Sequence, residues 1–399
     1  MKICFWGDIG KALSGNKSGG GELQIALLAR ALARAGHEVV VVDHQTDKET
    51  QTVDGIKILP IIGWNKGIRG IRTFTHRLPR LYSTLRDQKA DVYYCRIRDS
   101  RHIIAWWAAR KVKAKFILGL AEDLDVLSFR MRWKYYYLNY IRSPWVIVDG
   151  FFCEIVYPWL LHKSDVVFAQ HEGQKEILAK RGIKSVIFNN LIDLSLLPSI
   201  TGAEHDHFIY VGWIDKRKGF AQFFELVKNS PTHSFKVIGP PRDKEGYFYY
   251  EKLKSLQNVT LFGKLDHSET LYHIANSKAL ISTSWMEGFP NIFIEAWAYG
   301  IPVLSLNVDP GSRIKNERLG EVLNGDLNDM LSAIDSFRYT RDFAERAKTY
   351  VDSTHALNEY KVDEINKLFN DLCNKEKTKP DQGDKRELSE FPEKLINLN

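Results

Sequence analysis

Two glutamates eight positions apart, Glu287 and Glu295, bracket the segment Gly288-Phe289-Pro290-Asn291. Carboxylates placed like this accept hydrogen bonds from hydroxyl groups. Upstream, Lys278 to Ser284 reads as a buried strand running into a loop. Downstream, Asn291 to Tyr299 reads as a helix, stopped by Gly300 and followed by Pro302. A helix start presents unpaired amides and a partial positive charge, which seats a phosphate. The glutamates would flank that seat. A ligand offering both phosphate and hydroxyls is a sugar nucleotide.

The run Glu287-Gly-Phe-Pro-Asn291, then Glu295-Ala296 and Gly300-Ile-Pro-Val303, resembles the donor site of family-4 glycosyltransferases. That family has the GT-B fold: α/β, two Rossmann-like β/α/β domains facing across a cleft. The resemblance implies a nucleotide-sugar donor, transfer with retention, Glu295 on the ribose and Glu287 on the sugar hydroxyls. It seats the diphosphate beside the amides near Gly288, Phe289, Pro290 and Asn291. A second match begins at His207-Phe-Ile-Tyr-Val-Gly212 and ends at Lys218-Gly219. The family has Gly-Arg after this strand; here Trp213 stands where the arginine usually is, and Arg217 is the nearby guanidinium. With Glu287, these two cations form the implied catalytic group. A departing nucleoside diphosphate builds negative charge, and fixed cations aimed at it lower the barrier. The strand and turn at Phe235–Gly239 and the loop carrying Lys264 complete the implied donor side, the latter offering main-chain groups to the base.

The elements that must position these residues alternate strand and helix, the pattern of parallel sheets. Strands are expected at Lys2–Trp6, Glu38–Asp43, Ile56–Ile61, Val92–Cys95, Phe116–Leu120 and Asp165–Ala169, then from His207, Phe235, Asn258, Lys278, Gly300 and Gly320. Helices are expected at Leu23–Ala35, Glu172–Arg181, Leu271–Ser277 and from Asp326 onward. Residues 1–195 read as an acceptor-side domain and 196–374 as a donor domain, with the last helices free to pack back. Residues 375–399 read as a flexible charged tail.

Gly19-Gly20-Gly21 opens the first helix, so backbone amides there can approach an anion. Gln24 occupies the third glycine position of a dinucleotide fingerprint, and no Gly-x4-Gly-Lys-Ser/Thr occurs. A standard dinucleotide oxidoreductase and a P-loop ATPase are thereby disfavoured. The resemblance instead puts Gly20 and Gly21 between the domains, near the donor phosphates. Arg96, Glu122 and Asp123 fall at strand ends, where α/β folds place ligands, and are the acceptor-side candidates. The histidine that many family members carry near the latter strand end is absent. Asp123-x-Asp125 has the letters of a metal motif but lies in the acceptor half. Neither a metal nor another cofactor is expected.

Charge is uneven. The chain carries a net +7, yet residues 66–115 alone hold fourteen basic against three acidic side chains. This points to an anionic partner or to a solvated helix face. The basic window contains no recognised nucleic-acid module, so nucleic acid is not an expected partner. Residues 129–162 are rich in aromatics beside arginine and lysine. They read as an insertion packed on the first domain or as a membrane-interface segment; Asp149, Glu154, Pro144 and Pro158 argue against a bilayer span. Four scattered cysteines form no CxxC pair, and Met1–Asp8 lacks a signal-peptide core. The expected setting is cytoplasmic, on the inner face of a membrane, with a glycan or lipid-linked acceptor. Rival readings are a non-catalytic nucleotide-sugar-binding subunit and a sugar-nucleotide epimerase or phosphorylase on the same fold.

Overall fold

A computed structural model describes residues 1–15, 19–44, 49–68, 71–133, 144–200 and 204–374. The expected charged tail lies outside them, as do part of the glycine-rich loop, Arg69 of the basic window, residues 134–143 of the aromatic run and 201–203 of the linker.

The first sheet has eight strands: β1 (Lys2–Trp6), β2 (Glu38–Asp43), β3 (Gln51–Val53), β4 (Ile56–Pro60), β5 (Val92–Arg96), β6 (Lys115–Gly119), β7 (Val166–Ala169) and β8 (Ser185–Ile187). Their spatial order is β3-β4-β2-β1-β5-β6-β7-β8. All pairings are parallel except β3 with β4. Strands buried on both faces read as nearly continuous apolar runs, and β1 and β2 do. Alternate residues feed two cores: Ile3 and Phe5 of β1 enter one layer, Cys4 and Trp6 the other.

The second sheet has six strands: β9 (His207–Val211), β10 (Phe235–Ile238), β11 (Val259–Gly263), β12 (Ser277–Ser282), β13 (Val303–Ser305) and β14 (Gly320–Val322). They lie in the order β11-β10-β9-β12-β13-β14, all parallel. The two sheets are thus Rossmann-like, and their strands deliver loops at their carboxyl ends.

Two helix starts differ from the sequence expectation. The helix placed at Leu271 begins at His267, because Asp266 accepts from Glu269 N at 2.8 Å and the Glu269 carboxylate accepts from Asp266 N at 3.2 Å. That reciprocal cap fixes the start. The helix placed at Leu23 begins at Gly20, so Gly20 and Gly21 form its first turn.

The chain finally returns to the first sheet. Ile192 N donates to His355 O at 2.9 Å and Leu357 N to Ile192 O at 2.8 Å. The helix Glu359–Asn374 then buries Ile365 and Phe369 in the first sheet's core. His355 itself is fully buried, against Asn190 O (2.7 Å) and the Tyr350 hydroxyl (3.3 Å). Burial pushes its imidazole down to about 4 from an ordinary 6.5. Between those values the unfolded chain binds the extra proton, so this residue's contribution falls as pH falls. In urea melts, the stability gap between wild type and His355→Gln should shrink by about 2–3 kcal/mol from pH 7 to pH 4. A gap independent of pH would contradict this.

Candidate active site

The loop after β9 is built to hold cations. Asp215 caps the short turn Lys216–Lys218 by accepting from Lys218 N at 3.0 Å. Gly219 closes the turn at φ +63, where a Cβ would lie 2.0 Å from Thr283 O. Only glycine fits that left-handed, crowded position. Thr283 Oγ1 donates to Lys218 O at 2.9 Å, and Trp285 N to Arg217 O at 3.2 Å. The cationic turn is therefore fastened to the loop after β12, which carries Glu287.

Across that junction the Lys218 ammonium pairs with the Glu287 carboxylate. Burial alone would push Glu287 up; Lys218, Arg217 and a hydrogen bond from Ser284 more than offset it and hold the carboxyl below its usual range. Glu287 is thus an anion near neutral pH. Arg217 Nη1 reaches across to Glu122 Oε2 at 2.7 Å, joining the second sheet's loop to the end of β6.

Glu295 lies inside the helix Asn291–Ala298 and is mostly buried. Its Oε1 is 3.0 Å from His267 Nε2, and this hydrogen bond raises the His267 imidazole above its ordinary range. Sequence reasoning missed His267; its place at the head of the next helix, just after the β11 loop, was the available signal.

One hydrogen-bond network joins the two domains. Asn291 Nδ2 donates to Gly20 O at 3.0 Å, and Asn291 Oδ1 accepts from Gln24 (3.1 Å) and Asn190 (2.9 Å). Asn190 Nδ2 also donates to Phe289 O at 2.8 Å, and Arg96 Nη2 donates to Asn190 Oδ1 at 2.7 Å. Gly20, Phe289, Asn291 and Arg96 therefore meet, through Gln24 and Asn190. Gly288 is packed still more tightly: a Cβ there would lie 2.1 Å from the Gln170 amide, 2.9 Å from Glu122 Cα and 3.0 Å from Ala121 O. Pro290 caps the helix that follows.

The acceptor-side candidates separate. Arg96 is 5% exposed, a support beneath Asn190 rather than a surface group. Glu122 faces the cleft through Arg217. Asp123 Oδ1 accepts from Gln174 Nε2 at 2.8 Å and lies 2.8 Å from His171 Nε2. This histidine follows β7, one strand along from where the family pattern led the sequence reading to look. Burial, with Glu122 adding to it, pushes Asp125 up to about 7.

Three predicted donor-side positions stand outside the network. Gly239 allows backbone to meet backbone, since a Cβ there would lie 1.8 Å from Gly212 O. Gly21 faces the Ile97 side chain, which a Cβ would meet at 2.7 Å. Lys264 is exposed just past β11. Trp213, in the usual arginine's place, is half-exposed and has the Arg242 guanidinium 5.3 Å from its ring centre.

Comparisons with known proteins fit this geometry. Residues 19–187 match the family described as "Glycosyl transferase 4-like domain", and residues 201–321 match "Glycosyl transferases group 1". A lipopolysaccharide 1,6-galactosyltransferase of Salmonella typhimurium is 30% identical over 185 residues, 44% of this chain and 50% of that protein. The chain spans half or less of the length of the curated relatives it matches. Among solved structures, a sucrose-phosphate synthase from Thermosynechococcus elongatus superposes with a TM-score of 0.70 at 16% identity, covering 93% of this chain and 98% of that one. An Anabaena protein, HepE, solved in complex with UDP, gives 0.64 at 14% identity over 93% of this chain and 99% of its own.

Proposed function

Since the chain belongs to the family-4-like glycosyltransferases of GT-B fold, we propose that it moves a sugar, with retention, from a nucleotide-sugar donor to a glycan or lipid-linked acceptor. The observation that carries this reading is the Lys218–Glu287 pair, half-buried at the loop before the helix Asn291–Ala298 with Arg217 beside it. A diphosphate bound there competes with Glu287 for the Lys218 ammonium. One anion replaces another on this partly exposed cation. Glu287, released, can accept hydrogen bonds from sugar hydroxyls. As the donor bond breaks, charge grows on the leaving diphosphate, which Lys218, Arg217 and the helix amides would stabilise.

UDP is the first nucleotide to test, because the HepE neighbour holds it. Acceptor chemistry in cell-surface polysaccharide or lipopolysaccharide synthesis is supported by the Salmonella relative.

Glu295, held by His267, would take the ribose. Glu295→Gln should weaken both UDP and UDP-sugar by about 1.5–3 kcal/mol, the scale of a hydrogen bond to a charged group. Glu287→Gln should weaken the sugar nucleotide more than UDP. Calorimetry with both ligands tests the assignment. Equal losses for both ligands in both variants would refute this division of roles, and no binding of any nucleotide sugar by the wild type would refute the function.

A further inference from the structure

The helix Pro144–Lys163 is apolar around most of its circumference. One side is used: Cys153, Tyr157, Leu160 and Leu161 are buried in the first domain's core. Another side is uncovered. Phe151, Ile155 and Trp159 follow at four-residue steps, forming one stripe, and are 63%, 57% and 37% exposed. Neighbouring helices extend that surface. The helix His102–Lys111 runs alongside, its Trp106 meeting Trp159 edge-on at 4.8 Å, and leaves Trp107 exposed. The short helix Phe129–Arg132, tied to the long one by Arg132 donating to Glu154 at 2.9 Å, leaves Phe129 and Trp133 exposed.

Among the described side chains of these three helices, the exposed charges are all basic. Glu154 is turned inward, paired with Arg98 and Arg132. Lys111, Arg130 and Lys163, on the same three helices, are exposed. Aromatic side chains flanked by cations suit the boundary between headgroups and acyl chains. No helix of the described residues is long and apolar enough to cross a membrane. A second copy seated on this face would bring like charges together, whereas an anionic surface complements them.

We propose that this face docks in the plane of an anionic lipid bilayer. The docking stands on the surface alone. Its use, presenting a lipid-linked acceptor to the first domain, rests on the glycosyl-transfer reading above.

The test is co-sedimentation of the full chain with phosphatidylcholine vesicles, with and without phosphatidylglycerol, across a salt series. The wild type should bind the phosphatidylglycerol vesicles and release as salt rises. The double variant Phe151→Ser, Ile155→Ser should lower the partition coefficient by about tenfold or more. Lys111→Glu with Arg130→Glu should remove the preference for anionic lipid. Both double variants should bind UDP as the wild type does, which shows that they fold. Failure of the wild type to bind phosphatidylglycerol vesicles at low salt would overturn the proposal. So would unchanged binding by both variants, or a wild-type dimer that Phe151→Ser, Ile155→Ser converts to monomer in place of vesicle binding. Absence of UDP binding by a vesicle-bound wild type would instead count against the donor site alone.

Discussion

Lys218→Ala should lower the turnover number by about 10²-fold or more, the scale of losing one preorganised charge stabiliser. The expectation follows from how the lysine is held. Its backbone is fastened by Asp215 on one side and Thr283 on the other, and its ammonium sits against Glu287. Such a charge does not have to reorganise when the leaving group develops its own. In the resting site the Lys218 ammonium is spent on Glu287, which a bound diphosphate must displace, so truncation removes less ground-state binding than transition-state stabilisation. The deficit should therefore fall mainly on kcat. Steady-state rates with a saturating donor test this. A near-normal kcat would remove Lys218 from the chemistry.

Gly288→Ala should be nearly as harmful by a different route. The added Cβ would meet the Gln170 amide and the backbone of Ala121 and Glu122, all in the first domain. Backbone cannot step aside as a flexible side chain can, so the two domains must separate slightly. A displacement near 1 Å of a reacting group can cost about 10²-fold in rate. The proposed nucleotide site lies on the second domain and should keep its affinity. The expected pattern is a fall in kcat of about 10²-fold with an unchanged UDP dissociation constant. Weakened UDP binding with normal kcat would show that Gly288 serves the nucleotide directly.

The parallel-sheet framework was legible because β1, β2 and β9 carry uninterrupted apolar runs that little else can explain. The Glu287-to-Glu295 segment was legible because its glycine, proline and helix-start residues are fixed by local geometry. Partners across the cleft were not. Asn190 and Gln24 are far apart in sequence and ordinary in type, yet both donate to Asn291 Oδ1, while Asn291 Nδ2 donates to Gly20 O. His171 was passed over since the family pattern directed attention to the end of β6, whereas the fold offers the histidine from β7. The hairpin β3–β4 was half seen. Its Asp54-Gly55 turn, both residues at positive φ, is a strong local signal, but Gln51–Val53 is too short to show a pattern. Arg96 was read as an acceptor contact from its position at a strand end; burial makes it a support instead.

The central claim is transfer of a sugar from a nucleotide donor bound at Lys218, Glu287 and Glu295. Proton NMR of the anomeric region, recorded while the full chain turns over UDP-sugars with a panel of glycan and lipid-linked acceptors, tests it most directly. The account predicts that one donor is consumed, UDP is released in equal amount, and a new glycosidic anomeric signal appears with the donor's own configuration. A donor that binds yet is never consumed across the panel, or one converted to its epimer without an acceptor, would contradict it.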